Sequence, residues 1–421
     1  MARTTVTAFP SAMRSADLVP RFEEQGYGDA QVAARRRWIE ERAGVALRHV
    51  GAAPLPTPAM RGKVENPIGV AQVPLGLAGP LLVHGQHAEG LFYVPLATNE
   101  GALVRSYERG MVTLTRAGGA AVHLYQDENR VAPAFFLDSV EEASRFVDEL
   151  AADFAEIRAA AEATTRHGRL LRLEPRAVGR EVMVNFCYST GDAHGMNMIV
   201  RATDAACRWI VAHGRARGYS IFSGLDGEKQ AGGGLLAGGK GKRVVAGARL
   251  PARLLQTYLH VSAGELAELW RHTVTGKIQA GAIGYNGHYA NGLAALFIAC
   301  GQDVANLANS AVGMTQFEEL AGGDLYASVT LPSLTVATVG GGTALGTAHE
   351  CLELLGCAGA GGARKLAEVA AATLLAGELS MGAALASGEF VNAHETYGRN
   401  RPEAGLKPAP EADLKPAPET S

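Results

Sequence analysis

The chain is 421 residues long and 47% hydrophobic, and its 39 Lys and Arg stand against 42 Asp and Glu for a formal net charge of -3. That balance supplies no basic field for nucleic acid or an anionic membrane. Five cysteines (Cys187, Cys207, Cys300, Cys351 and Cys357) are odd in number and scattered through apolar segments. They fit reduced, buried thiols in a cytosolic protein better than a disulfide frame, and no CxxC or CxH spacing suggests zinc. No apolar run approaches the ~18 residues of a membrane span. Met1 to Val19 carries two arginines but no apolar h-region, so it is not a secretory signal. The expectation is a soluble, cytoplasmic protein of two or three domains.

In chain order, residues 29–48 mix Arg and Glu with Val32, Trp38, Ile39 and Val45 at near-helical spacing, predicting an amphipathic N-terminal helix. Residues 51–90 are punctuated by Pro and Gly. Leu91 to Pro95 reads as a short strand, with a helix beginning after Ala97-Thr98-Asn99-Glu100-Gly101. Ser139 and Glu142 form a capping box that opens a long helix over 139–165. The alternation from Val182 to Cys187 predicts a strand, and a strand–helix–strand unit over 113–216 reads as a small inserted domain. Ser223 to Gly241 is glycine-dense, as a mobile or closely approached loop would be. Helices are expected near 251–275, 291–311, 344–356 and 363–386, with a buried strand ending in Thr338-Val339-Gly340-Gly341-Gly342-Thr343. Leu-Lys-Pro-Ala-Pro-Glu repeats at 406–411 and 414–419, so 405–421 reads as a disordered tail.

The run Gly276 to Asn291 delivers Asn286, His288 and Asn291 to an apolar stretch, Gly292 to Cys300, which stops at Gly301-Gln302-Asp303. An acid ending an apolar helix is expected to avoid open water and to need a partner or a shifted pKa. A simple cap at Asp303 reads equally well. Gly234 to Gly241 nearly spells a P-loop, but Gly241 stands where Ser or Thr is required and no buried strand feeds it. Gly340 to Gly346 follows a strand and opens a helix, as a dinucleotide turn does, but lies too near the C-terminus for a doubly wound unit. A phosphate contact and a plain tight turn both remain open there. No Gly-x-Ser-x-Gly elbow is present.

Together these motifs resemble the 3-hydroxy-3-methylglutaryl-coenzyme A reductase family, in its soluble catalytic portion, from about residue 17 to 400. The markers are Glu65-Asn66-Pro67-Ile68-Gly69, Ala97 to Gly101, Gly191-Asp192-Ala193-His194-Gly195-Met196-Asn197, Gly301 to Asp303, Thr338 to Thr343, Ala376-Gly377-Glu378-Leu379-Ser380 and His394. The resemblance implies reduction of a thioester to a primary alcohol by two hydride transfers from NADPH (NADH in some members), through a hemithioacetal and an aldehyde, with coenzyme A as product. Glu100 would protonate the carbonyl oxygen in the aldehyde step, and Lys229 would stabilise the oxyanion. Asp303 would lie between them and tune both, and His394 would protonate the departing thiolate. A fixed ammonium in a dry site stabilises such an oxyanion strongly, and imidazole is suited to protonating a thiolate near neutral pH.

Cofactor contacts would come from Asp192, His194, Gly195, Met196, Asn197, Gln302, Gly340, Gly341 and Gly342. Thr165 and Arg166 match the place that receives the ribose 2′-phosphate, for which Arg is the expected partner. The implied substrate set is Glu65, Asn66, Arg109, Arg130, Ser223, Glu228, Gln230, His272, His288 and Asn291. No metal is implied.

The implied fold is α+β. A large helix-rich substrate domain (51–112 and 217–378) follows an N-terminal helical segment (1–50). It carries a small ferredoxin-like α/β NAD(P)-binding insert (113–216) and a C-terminal catalytic segment (379–404). The implied assembly is a homodimer or dimer of dimers with its active site between subunits, acting on a small acyl-CoA with neither nucleic acid nor membrane as partner. The sequence departs from the family where the acyl carboxylate would sit: Gln230 and His272 replace lysines, and Glu228 replaces an aspartate. Each charge-assisted contact is worth roughly 1.5–3 kcal/mol, so the departure also admits a thioester lacking that carboxylate, or a non-catalytic coenzyme A-binding relative.

Overall fold

The computed structural model describes residues 18–20, 29–48 and 71–388. Glu65, Asn66, His394 and the repeated tail lie outside them. In chain order the elements are α1 (Asp29–Ala43), β1 (Leu75–His84), β2 (Glu89–Ala97), α2 (Leu103–Arg116), β3 (Ala120–Val131), β4 (Ala134–Phe136), α3 (Val140–Ala152), α4 (Phe154–Glu162), β5 (Arg169–Val178), β6 (Glu181–Ser189) and α5 (Met196–His213). Then follow β7 (Gly218–Ser220), β8 (Gly241–Leu250), α6 (Ala252–Leu254), α7 (Ala263–Gln279), α8 (Tyr289–Ala299), α9 (Leu307–Ser310), β9 (Met314–Glu319), β10 (Leu325–Leu334), α10 (Gly346–Leu354) and α11 (Ala363–Ala386). The mixture is α+β.

Two hydrophobic clusters organise these elements, and β3 runs through both. Its first part pairs antiparallel with β8, from Ala121↔Gly247 to Glu128↔Gly241. Its last residues, Asn129 to Val131, pair with β6 instead. The larger cluster packs the sheet of β1, β2, β8, β10 and β9 against α2, α7, α8, α10 and α11. The smaller one gathers Phe135, Phe146, Ile157, Val184, Phe186, Ile199 and Ile210 between β4, β5, β6 and α3, α4, α5.

α11 is the axis of the larger cluster. Apolar side chains occupy all its faces, as expected of a helix wrapped by other elements. Its best window has a mean hydropathy of 1.6, long and apolar enough to span a membrane, yet 78% of that window is buried within the fold. A search for uninterrupted apolar runs passes it over because Arg364, Lys365, Glu368 and Glu378 break the run. Glu368 is wholly buried and accepts the N–H groups of Gln86, His87 and Ala88 at 3.1, 2.8 and 2.6 Å. Those donors make a carboxylate tolerable in an apolar core. Where α2 crosses α11, a Cβ on Gly110 would collide with the Ala376 carbonyl, and one on Gly377 with the Tyr107 ring.

Several elements differ from the sequence reading. The Pro- and Gly-punctuated stretch before residue 90 contains a ten-residue strand, β1, paired along β2. Ser139 caps the helix, accepting the Glu142 N–H at 3.2 Å, but the expected box is not reciprocal because the Glu142 carboxylate turns to Arg145 and Arg215. The 139–165 helix, however, is two helices broken at Asp153 (φ -94°, ψ 17°), because α4 turns to pack on α5. The 251–275 helix is interrupted by a wide turn over Leu255–Leu259 and by His260 at φ 57°, and restarts on the Ser262–Glu265 capping box. The 291–311 helix ends at Ala299, since Gly301 (φ 63°) turns the chain away. α1 stops at Ala43 before Gly44 (φ 64°), and its apolar residues do not form one stripe. The P-loop-like run leads into β8 rather than a helix, so it has no phosphate-binding geometry.

Gly110→Ala should force α2 and α11 apart and lower stability by about 1–3 kcal/mol, measured as a shift in urea midpoint at unchanged slope. An unchanged midpoint would refute this account of the crossing.

Candidate active site

Glu100 follows the end of β2. Thr98 accepts its N–H at 2.9 Å, and Ala102 (φ 69°) then starts α2. Asn291, in the first turn of α8, donates from Nδ2 to Glu100 Oε2 at 2.7 Å. His288, at the N-cap of α8, places Nε2 4.0 Å from Glu100 Oε1. Lys229 lies in the glycine-dense loop at φ 55°, a left-handed conformation that strains a residue with a Cβ and persists only where its surroundings enforce it. Its Nζ is 2.7 Å from Asp303 Oδ2. The hydrogen bond to Asp303 pushes the lysine pKa up against the weaker pull of partial burial, so the ammonium persists at neutral pH.

Asp303 also caps the turn after α8, its Oδ1 accepting the Ala305 N–H at 3.1 Å. The expectation that it avoids open water does not hold: its side chain is 46% exposed, because the Gly301 turn carries the chain outward before Asp303 is reached. Asp303 thus faces Lys229, while Glu100 is held by Asn291 and His288.

Beneath Lys229 sits a buried charge cluster. Lys240, with no solvent exposure, places Nζ 2.5 Å from Glu228 Oε2 and donates to the Arg130 carbonyl at 3.1 Å. His194 Nε2 approaches the same Glu228 oxygen at 3.6 Å. Burial opposes ionisation of Glu228, but His194 and Lys240 overcome it and hold the carboxyl down at about 2. Lys240 is itself pushed down, since complete burial costs its ammonium more than Glu228 returns. The short contact argues for a charged pair. Arg130 is buried as well, donating from Nε to the Asp226 carbonyl at 3.2 Å. Ser223 donates its hydroxyl to Ala132 O at 2.8 Å.

The sequence-predicted cofactor residues converge. Asp192 accepts Thr338 N and Val339 N on its carbonyl, and Ala193 pairs with Val339. Its carboxylate accepts Gly361 N at 2.7 Å and Ala363 N at 3.0 Å, so it caps α11. Gly195 (φ 74°) opens α5, with Met196 against Lys240 and Asn197 exposed. Gln302 donates to Cys300 O and Ala337 O and accepts Ala337 N, so its amide braces this junction. Gly301 and Gly342 touch backbone to backbone: a Cβ on Gly342 would stand 2.6 Å from Gly301 O. Gly340 and Gly341, both at positive φ, have open space where a Cβ would project. Thr165 accepts His167 N and Gly168 N, in a turn that abuts Met198 of α5 with Arg166 exposed on it.

Other expected substrate residues are placed differently. Arg109 donates from Nε to Ser380 Oγ at 2.9 Å and from Nη2 to Ser380 O at 2.6 Å, fastening α2 to α11. Gln230 is exposed beside Lys229. His272 is 75% exposed on α7 and 3.4 Å from Glu268. Sequence reasoning gave no role to Lys240, which stood inside the rejected P-loop-like run, nor to Glu378, quoted only within a motif. A lysine among glycines next to an acidic loop was the available signal for the first.

The family model for hydroxymethylglutaryl-coenzyme A reductase matches residues 31–399. A 3-hydroxy-3-methylglutaryl-coenzyme A reductase of Methanothermobacter thermautotrophicus is 41% identical over 374 residues, covering 88% of this chain and 94% of that protein. One from Haloferax volcanii is 39% identical, covering 94% of this chain and 100% of that protein. A class II enzyme of that name from Streptococcus pneumoniae, solved with NADPH in open conformations, superimposes with a TM-score of 0.67 at 20% identity, over 84% of this chain and 86% of that one.

The buried pair makes stability sensitive to acid. Because Glu228 is held at about 2 against an ordinary 4.5, its contribution is complete above that ordinary value and is lost as pH falls from there toward 2. Lys240→Met should cost about 3–5 kcal/mol near neutral pH and reduce that acid dependence to the part His194 supplies, read from urea midpoints across the window. A parent-like pH profile in the variant would contradict this.

Proposed function

Because the chain belongs to the hydroxymethylglutaryl-coenzyme A reductase family, we propose that it reduces hydroxymethylglutaryl-CoA to mevalonate and free coenzyme A with NADPH. One observation carries this reading: an ammonium, Lys229, held 2.7 Å from Asp303 on a strained loop. A fixed cation of this kind suits an oxyanion that forms when a thioester carbon is reduced, and its positioning in advance is what makes it effective. Asp303 keeps Lys229 protonated and aimed. Glu100, steadied by Asn291, supplies the proton to the carbonyl oxygen in the aldehyde step, and His394 protonates the departing thiolate.

The cofactor would be held by the N-terminus of α5 at Gly195, by the open faces of Gly340 and Gly341, and by Arg166 at the 2′-phosphate. Glycines with free space before them fit close approach of a phosphate or ring, and an 18-residue helix directs its positive end at the same place. When bound, the reduced nicotinamide supplies hydride. In this reading the smaller cluster belongs to a ferredoxin-like insert at 113–216, the substrate part is 51–112 with 217–378, and 379–404 is the C-terminal catalytic segment. Asp303 is half-exposed and flanked by Ile298 and Val304, each about two-fifths exposed, which supports a second copy of the chain covering it.

A second reading concerns the acyl group. Gln230 is neutral and His272 points to Glu268 on an open helix face, which favours a thioester without a terminal carboxylate.

Purified protein should oxidise NADPH when hydroxymethylglutaryl-CoA is added, and Lys229→Ala should lose roughly 100–1,000-fold in kcat. Arg166→Ala should raise KM for NADPH while leaving NADH unaffected. Turnover only with uncharged acyl-CoA thioesters would favour the second reading, and no oxidation with any thioester would sink both.

A further inference from the structure

We infer that Glu378 and Tyr107 are positioning residues for Glu100: together they bracket the first turn of α8, which in turn holds the acid. The inference rests on the proposed role of Glu100 and adds two residues that touch neither substrate nor cofactor.

Glu378 sits midway along α11, 4% exposed. Its Oε1 accepts His288 N at 2.5 Å and Gly287 N at 3.1 Å. Its Oε2 accepts Gly287 N at 2.9 Å and the Thr315 hydroxyl of β9 at 2.6 Å. A carboxylate at the start of a helix meets the unpaired N–H groups and the positive end of the helix dipole, so both hydrogen bonding and charge pull α8 onto α11. Burial raises the Glu378 pKa while Thr315, Gly287 and His288 work to lower it, as expected of a group retained for the donors around it.

Tyr107 of α2 completes the bracket from the other side. It lies over the His288 ring, centroids 5.3 Å apart at 27°, and donates its hydroxyl to the His288 carbonyl at 3.2 Å. His288 is therefore fixed at its N–H, its carbonyl and its ring. Glycines leave no slack: a Cβ on Gly292 or Gly377 would strike Tyr107, and one on Gly287 would strike Met381. Asn291 follows His288 by three residues and so shares its helix face. That face presents Asn291 Nδ2 to Glu100 Oε2 at 2.7 Å and His288 Nε2 to Oε1 at 4.0 Å. Displacing the turn displaces Asn291 and His288 together relative to Glu100.

The test uses Glu378→Met, which keeps the volume but no acceptor, Glu378→Gln, which keeps one oxygen for His288 N, and Tyr107→Phe, which removes only the hydroxyl. Each is assayed with NADPH against the thioester and against the free aldehyde formed by its half-reduction. Glu378→Met should lose roughly 10- to 100-fold in kcat on the aldehyde with KM for both substrates within about twofold, and Glu378→Gln should recover most of it. A folded Glu378→Met with the parent's kcat, or a loss confined to KM, overturns the inference. Should Glu378→Met not fold, Tyr107→Phe decides: a several-fold fall in kcat at constant KM supports the bracket, and an unchanged kcat removes it. A parent inactive on both substrates sinks the proposed function itself, whereas an active parent beside an equally active variant sinks the bracket alone.

Discussion

A helix apolar on every side must be wrapped, and any carboxylate it carries must be met by donors from whatever wraps it. α11 carries two, Glu368 and Glu378, ten positions and therefore about 15 Å apart along the axis. Glu368 gathers the turn between β1 and β2, and Glu378 gathers the entry to α8. Both the strand that leads to Glu100 and the helix that carries Asn291 are thereby registered to one buried rod. Loops that would otherwise drift relative to one another share a fixed reference.

The same rod fixes the other half of the site at its N-terminus. Asp192 caps α11, and its carbonyl accepts Thr338 N and Val339 N in the irregular segment that follows β10; the strand expected to reach 338–343 stops at Leu334. Asp127 receives Lys242 and Arg364, the latter from the first turn of α11, and these cations hold its carboxyl low despite burial. Glu228, the residue before Lys229, is tied to the fully buried Lys240, so the strained backbone at Lys229 is anchored next to an ion pair. Polar contacts in this protein gather where segments from distant parts of the chain must meet at defined distances.

How much of this was legible depends on whether the governing forces are local. The presence of a helix near 363–386 was readable from its composition, although the C-terminal segment was set to begin at 379, inside α11, and the Ser139 cap was readable because a side chain bonding three positions ahead is a local event. The residues 97–101, 301–303 and 338–343 stood out as site motifs; the fold packs Gly301 and Gln302 against the 337–342 segment and sets Glu100 against Asn291 of α8. β1 was hidden because Gly76, Gly79 and Pro80 read as loop, while its pairing with β2 supplies the order. The break at Asp153 is set by tertiary packing: both helices rest on β5, but only past the break does the chain also pack extensively on α5. The exposure of Asp303 follows from a single positive-φ glycine whose direction no periodicity encodes. Lys240 was invisible as a site residue because its partner Glu228 lies twelve positions away across a glycine-rich loop, and only folding makes them adjacent.

The continuity of β3 bears on how the molecule can move. Its hydrogen-bond ladder passes from β8 to β6 without a linker, so the boundary between the two apolar clusters is drawn by side chains and is not marked in the backbone. Any tilt of one part against the other is therefore the bending of a strand, with the restoring force of a leaf spring, rather than swinging on a tether. The register slip between Leu124 and Gln126, beside outward-facing Tyr125, is where such a spring would flex most easily, because a bulged strand already curves there.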